Sequence, residues 1–199
     1  MVFSKGGIIE PLVLASTQFV IDAKASRFTV QAFASGLASV VAHCPTFSVR
    51  DFTGDVRLML PAMDKASCRL VVRAASLEIM DEVSQRDRQQ IENTMFHEVL
   101  HISKHPEVVF ESSQIALHQV SAGMHRATVS GTLDLHGVRA AHKMTCQAVI
   151  GDNSIRIYGD CTLLQSDFNV AIASVAGGTM KLRNELRMAF FLIGRAQAN

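Results

Sequence analysis

Apolar and polar residues alternate with a period of two along most of this chain, and that pattern restricts its fold more than any other feature. Phe19 and Ile21 alternate ahead of Asp22, then Phe28, Val30 and Ala32 follow, and then Phe47 and Val49. Val56 and Leu58 alternate with Asp55 and Arg57, and Cys68, Leu70 and Val72 with Arg69, Val71 and Arg73. Beyond residue 106 come Val108 and Phe110, then Ile115 and Leu117. Ala127, Val129, Gly131, Leu133 and Leu135 alternate with Thr128, Ser130, Thr132 and Asp134. Met144, Cys146 and Ala148 repeat the pattern, as do Ile155, Ile157 and Gly159, and the series Met180 to Leu192 closes it. Successive strand side chains point to opposite faces, so such runs are antiparallel strands with one face covered. Ser121-Ala122-Gly123, His136-Gly137, Gly151-Asp152-Asn153-Ser154 and Gly177-Gly178 supply the turns between them. Eight or more strands with one helix predict an all-β, closed up-and-down barrel, because closure removes exposed strand edges.

The helix lies in SQRDRQQIENTMFHEVLHISKHPEVVFESS, residues 84–112. Ser84 is placed to cap it, Asp87 brings negative charge to its first turn, and Pro106 follows it. At about 100° per residue, Ile91, Met95, Val99 and Ile102 form an apolar stripe on a helix over about 86–102. The same stretch contains His97-Glu98-Val99-Leu100-His101. An H-E-x-x-H match on a helix is the signature of a zinc peptidase, with two histidine ligands and a glutamate base. A third ligand is missing from the expected downstream positions, which hold Lys104 and Glu107. His97 and His101 also fall on the face away from the apolar stripe. A zinc-dependent hydrolase using His97, His101 and Glu98 is therefore an alternative reading, and metal binding is not expected. A filled barrel serving as a stress-related interaction module is another.

Lys plus Arg number 19 against 18 Asp plus Glu, a balance that offers no electrostatic footprint for nucleic acid. At 48% hydrophobic residues the chain can bury a substantial core. Yet no run reaches the ~18 apolar residues of a membrane span. Residues 1–16 read as an N-terminal extension and 17–195 as a single barrel domain. The opening MVFSKGGIIEPLVLAS is interrupted by Glu10 and Pro11 and makes a poor signal peptide, so a cytoplasmic location is expected. Cys44, Cys68, Cys146 and Cys161 are scattered, without zinc-site spacing, and read as free thiols. Clusters of small residues at 32–39 and 171–178 fit either tight packing or space inside the barrel.

Several motifs, in order, carry a family resemblance. They are Phe19-Val20-Ile21-Asp22 with Ser26-Arg27-Phe28-Thr29-Val30, then Phe52-Thr53-Gly54-Asp55-Val56, then Arg86-Asp87 and Phe96 leading to His105-Pro106-Glu107-Val108-Val109-Phe110-Glu111-Ser112. Val129-Ser130-Gly131-Thr132-Leu133-Asp134-Leu135-His136-Gly137-Val138 and Ser166-Asp167-Phe168-Asn169-Val170 complete them. Together they resemble the YceI-like family of polyisoprenoid-binding, lipocalin-like barrel proteins, over about residues 18–193. The chain departs from that pattern at Ala25, where the family often has histidine, and at Asn169, where it commonly has glycine.

The resemblance implies an extended eight-stranded antiparallel barrel around an apolar tunnel. It also implies a lipid-like partner, a polyisoprenoid or isoprenoid quinone, carried or sequestered there. No catalytic residues and no cofactor beyond such a lipid come with it, and homodimerisation is plausible. The chain is thus read as a binding protein rather than an enzyme. Candidate tunnel walls are Phe28, Val30, Phe47, Phe52, Met95, Phe110, Leu133 and Phe168. His43, His136 and Arg139 are head-group candidates by position, while His118, His125 and His142 read as surface or strand histidines.

Overall fold

A computed structural model describes residues 15–35, 45–60, 65–172, 174–175 and 180–197. The strands are β1 Ala15–Ile21, β2 Arg27–Ser35, β3 Thr46–Val49, β4 Phe52–Leu60, β5 Ser67–Arg73, β6 Leu77–Ile79, β7 Glu107–Ser121, β8 Met124–Leu135, β9 Val138–Ile150, β10 Ser154–Leu164, β11 Ser174–Val175 and β12 Met180–Ala196. One helix, α1, spans Gln85–Asn93 and continues as a wider turn over Thr94–Val99.

Pairing reduces this inventory to a simple architecture. β1 and β2 both lie antiparallel along the same edge of β12, β2 opposite Lys181–Phe191 and β1 opposite Gly194–Ala196. They are one long strand, bent at Asp22–Ser26. β3 and β4 are likewise halves of one strand, since β3 pairs β2 and β4 pairs β1. β5 and β6 repeat the relation, pairing β4 and β3. With each bent pair counted once, eight antiparallel strands follow one another in sequence order, and the last closes on the first through β1 and β12. This is the barrel that the alternation predicts.

The bends are held by specific bonds. At the first, Ser26 Oγ donates to the Asp22 carbonyl (2.7 Å) and accepts from the Ile193 N–H (2.9 Å). So the serine beside Ala25 does structural duty here. At the second, the Arg50 N–H donates to Ser76 O (3.1 Å) and the Arg73 N–H to Asp51 O (3.0 Å), carrying the ladder across the break. The late loop needs a left-handed residue at Asn169, φ 53°. Asparagine tolerates that conformation better than other side-chain-bearing residues, so it replaces glycine there at modest cost.

Past Arg73 the wall divides. β7 pairs β5 as far as Arg73↔Glu107, while β6 pairs only β3. α1 lies along the edge of β6 that the split leaves uncovered. Arg88 of the helix donates through Nη1 to Ile79 O and through Nη2 to Asp81 O (3.3 Å), occupying carbonyls a strand would otherwise bond. Ser84 caps α1: its Oγ accepts from the Asp87 N–H (3.1 Å) and donates to the Asp87 carboxylate (2.7 Å). The helical run ends earlier than the sequence pattern predicts. Leu100 N–H reaches back five residues to Met95 O (2.9 Å), and His101 takes φ 45°. Ile102 accordingly sits in the turn after the helix rather than on its apolar stripe.

Candidate ligand cavity and the gap beside it

A cavity of about 800 Å3 occupies the barrel interior, within the ~300–1,000 Å3 range of small-molecule sites. Inward-facing residues of the strands form its sides, and Ile91, Met95 and Val99 of the helical segment form part of its lining. The split between β6 and β7 is what admits the helix to this position. Of the candidate wall residues, Phe28, Val30, Phe47, Met95, Phe110 and Leu133 border the cavity. Phe52 and Phe168 do not. Both are 3% exposed or less and belong to the close-packed core, Phe52 edge-on to Phe28 with ring centroids 6.1 Å apart. Alternation turns Phe52 inward with Val56 and Leu58, but it does not distinguish a wall facing space from a wall facing another side chain, and Phe168 lies in the turn Gln165–Phe168, outside any alternating run.

The head-group candidates are placed differently from expectation. His43 lies outside the described residues. His136, φ 54°, forms the β8–β9 turn with Gly137, and its Nε2 lies 2.8 Å from His101 Nδ1. Its ring stacks on that of His101 and tilts against His105, away from the cavity lining. Arg139 occupies an outward position of β9, where it pairs with Glu111 (3.8 Å) and Asp134 (3.9 Å) on the exposed surface. Alternation along β9 explains this, because Ala140, His142 and Met144 take the inward positions and Arg139 an outward one.

The H-E-x-x-H match loses its geometry as well. A zinc helix needs both histidines one helical turn apart on a continuous helix. Here the helical run ends at Val99 and His101 has left it for the left-handed region, with its Nδ1 engaged by His136. His97 and Glu98 remain exposed. Among the described residues no group of three metal-ligating side chains is gathered.

What the sequence reading missed is a second division of the wall. β9 and β10 pair only from Ile150↔Ile155 to Cys146↔Gly159. Beyond that point β9 pairs β8 alone, along Val138–Thr145, and β10 pairs β12 alone, along Asp160–Leu164. The two strands fork, and the short turn Gln165–Phe168 packs against β9 there. His142, Met144, Cys146, Cys161 and Gln165 all border the cavity at this fork. The Nε2 atom of His142 is buried without a hydrogen-bond partner among the described residues. Burial holds the His142 pKa below the ordinary imidazole value, so the ring is neutral at neutral pH. A signal for it was present: the alternation of Met144, Cys146 and Ala148, extended back by one step, puts His142 on the inner face.

Three thiols face the same space, and burial pushes all of them up. Cys146 and Cys161 rise to about 11, and Cys68 shifts in the same direction. They are protonated, apolar-like wall elements at neutral pH. Among the described residues, the charged groups on the lining are Asp55, Arg69, Asp81 and Asp87. Arg69 donates through Nε to Glu111 (3.0 Å), and Asp81 accepts from the Thr46 N–H (2.8 Å).

A closed antiparallel barrel of eight strands around an apolar cavity defines the class of lipocalin-like barrels. Within that class the chain belongs to the YceI-like domain family, whose model matches residues 19–191. Solved structures share the fold at low identity. The structure of BcnA from Burkholderia cenocepacia aligns with TM-score 0.68 and 15% identity, over 87% of this chain and 98% of that one. A polyisoprenoid-binding domain from Saccharophagus degradans, implicated in plant cell wall breakdown, gives 0.64 and 14%, over 93% and 100%. The YCEI protein of Campylobacter jejuni gives 0.53 and 14%, over 76% and 85%. No curated protein sequence matches the chain.

Proposed function

We propose that this protein binds a long, largely apolar lipid of the isoprenoid type inside its barrel, and carries or sequesters it. The observation that carries the reading is the cavity: about 800 Å3 inside a closed barrel, walled by Phe28, Val30, Phe47, Met95, Phe110 and Leu133 among other apolar side chains. Burying apolar surface contributes roughly 25 cal/mol per Å2, so a long tail binds in such a space without a charged anchor. Membership of the YceI-like family and the likeness to a polyisoprenoid-binding domain support the same class of ligand. Binding rather than catalysis accords with that family.

Native mass spectrometry of the purified protein, beside its denatured mass, tests the reading. A near-stoichiometric excess in the lipid mass range, extractable into organic solvent, is the expected result. Protein made in several hosts that carries no lipid, and takes up none of a supplied polyprenyl lipid, would overturn it.

A further inference from the structure

We infer that the helical segment Gln85–Val99 is a lid over the cavity, that the contact between His101 and His136 is its latch, and that protonating both imidazoles opens it. The inference goes beyond the lipid reading and does not depend on it.

Three observations carry it. First, this segment is a stretch of cavity wall that no strand ladder holds. Ile91, Met95 and Val99 line the cavity, yet no residue of Gln85–Val99 is fully buried. Arg88 ties its first turns to Ile79 and Asp81. The next fixed point is Pro106, whose carbonyl accepts from the Ala74 N–H (2.9 Å). Between Arg88 and Pro106, the His101–His136 contact is the one hydrogen bond among the described residues that joins the segment to the barrel. A wall element held in this way opens at lower free energy than the ladders beside it.

Second, two left-handed residues bring the latch together. His101 (φ 45°) follows the helical run and His136 (φ 54°) turns β8 into β9. Their rings stack with centroids 5.1 Å apart, and Nδ1 of His101 meets Nε2 of His136 at 2.8 Å.

Third, the contact is sensitive to proton number. One facing nitrogen donates an N–H and the other accepts through its lone pair. The bond survives one charge on the pair, but a second proton puts an N–H on both facing atoms and two cations in one stack. Nothing offsets that charge. His136 Nδ1 is buried without a partner among the described residues, so a charged His136 has no acceptor for its other N–H. The ring tilted against His136 is His105, another imidazole (centroids 4.8 Å). Glu98, Lys104 and Glu107 are exposed. On the hairpin side Asp134 pairs with Arg139 (3.9 Å), and Glu111 with Arg69 and Arg139. Among the described residues no carboxylate forms an ion pair with any of the three imidazoles. Imidazoles ordinarily change charge between about pH 5 and 8, so the latch is closed at the top of that range and open at the bottom.

Two readouts on the unliganded whole chain, at about pH 7.5 and about pH 5, test the inference. One is hydrogen exchange over residues 85–105, corrected for intrinsic rates and referred to β8. The other is the association rate of a neutral apolar dye, N-phenyl-1-naphthylamine. Both should rise about five- to tenfold at the lower pH. His101→Asn tolerates the left-handed backbone but removes the imidazole. It should be fast at both pH values, and adding His136→Asn should make it no faster. Arg88→Ala, which loosens the other anchor, should be faster than the parent yet keep the pH step.

Exchange over 85–105 that keeps pace with β8 at both pH values would overturn the lid. A pH step retained in His101→Asn would overturn the latch. A dye rate indifferent to pH, beside an exchange rate that responds, would overturn the lid as the way into the cavity. Failure of the dye to bind at all would tell against the lipid reading, while exchange would still decide the lid and its latch.

Discussion

The two sides of β9 are built differently. Toward β8 it pairs without interruption from Val149↔Met124 to Val138↔Leu135. Toward β10 it pairs for five residues, Ile150 to Cys146, and then parts company. The first side is a sealed wall: consecutive backbone groups bond across it, and inward residues such as Ala127, Val129 and Leu133 are all under 10% exposed. The second side leaves a fork, and there His142, Met144 and Cys161 border the cavity. The same contrast separates β5, whose outer edge is laddered to β7, from β6, whose outer edge is covered by α1 instead of a strand. Continuous ladders supply rigidity; interruptions of the ladder supply the helix-lined flank of the cavity and the fork beside it.

The sharpest way to break this comparison is to disturb the sealed side. A side chain at Gly131 would collide with the Glu111 carbonyl and come within 2.7 Å of the Phe110 ring. Gly131→Val should therefore cost about 3 kcal/mol or more, read as a large fall in Tm or failure to fold. A Tm within a few degrees of the parent would show that the ladder yields. The helix-covered edge comes next. Arg88→Ala removes two bonds from a charged donor to strand and loop carbonyls, for an expected loss of about 2 kcal/mol. Hydrogen exchange should quicken over 77–99 while β8 stays protected; uniform quickening would show that the helix and barrel unfold as one unit.

At the fork the expected effect is smaller and depends on pH. The folded pKa of His142 lies below 6.5, so the unfolded chain binds a proton that the folded ring resists. Its contribution to stability is thus present above about pH 6.5 and lost as pH falls through the folded value. His142→Leu should flatten that part of the profile. At pH 7.5 it should also raise the unliganded protein's stability by about 1 kcal/mol, by removing an unsatisfied atom. An unchanged acid limb in equilibrium unfolding would argue against a buried ring. Smallest of all is the outer surface of the same fork. Asp160 and Arg187 pair at 3.2 Å with both side chains more than half exposed. Asp160→Asn should shift stability by less than about 0.5 kcal/mol.

The sealed side was the legible side. Alternation through residues 127–135 and 144–148 marks β8 and β9, His136-Gly137 marks their turn, and Ser84 with Asp87 marks the start of α1. The bends and forks were not legible, because they depend on where pairing stops, and a strand's own residues do not encode its partner's departure. Phe52 and Phe168 show the limit for the cavity. The inward orientation of Phe52 follows from local pattern, but that it meets another ring rather than space depends on Phe28, distant in sequence; Phe168, in a turn, has no such pattern to follow. Arg139 and His142 show the opposite case. Counting inward positions back from Cys146 separates them, and position near a turn was the weaker guide.

The barrel is closed where its first long strand meets its last: β2 pairs Lys181–Phe191 of β12, and Phe19, Val20 and Ile21 of β1 pair Ala196, Arg195 and Gly194. The narrowness of Gly194 is part of the fit, since a Cβ there would lie 2.7 Å from Ile155 and 3.1 Å from Phe19. This seam gives the molecule a direction in time. The neighbours β7 to β10 can zip together as hairpins during synthesis, whereas β1 and β2 must wait for β12 to leave the ribosome. Contacts across so long a stretch of chain form slowly. Until they do, the nascent protein is an open, curved sheet with its apolar lining exposed, so the interval before closure is when a chaperone would be needed most.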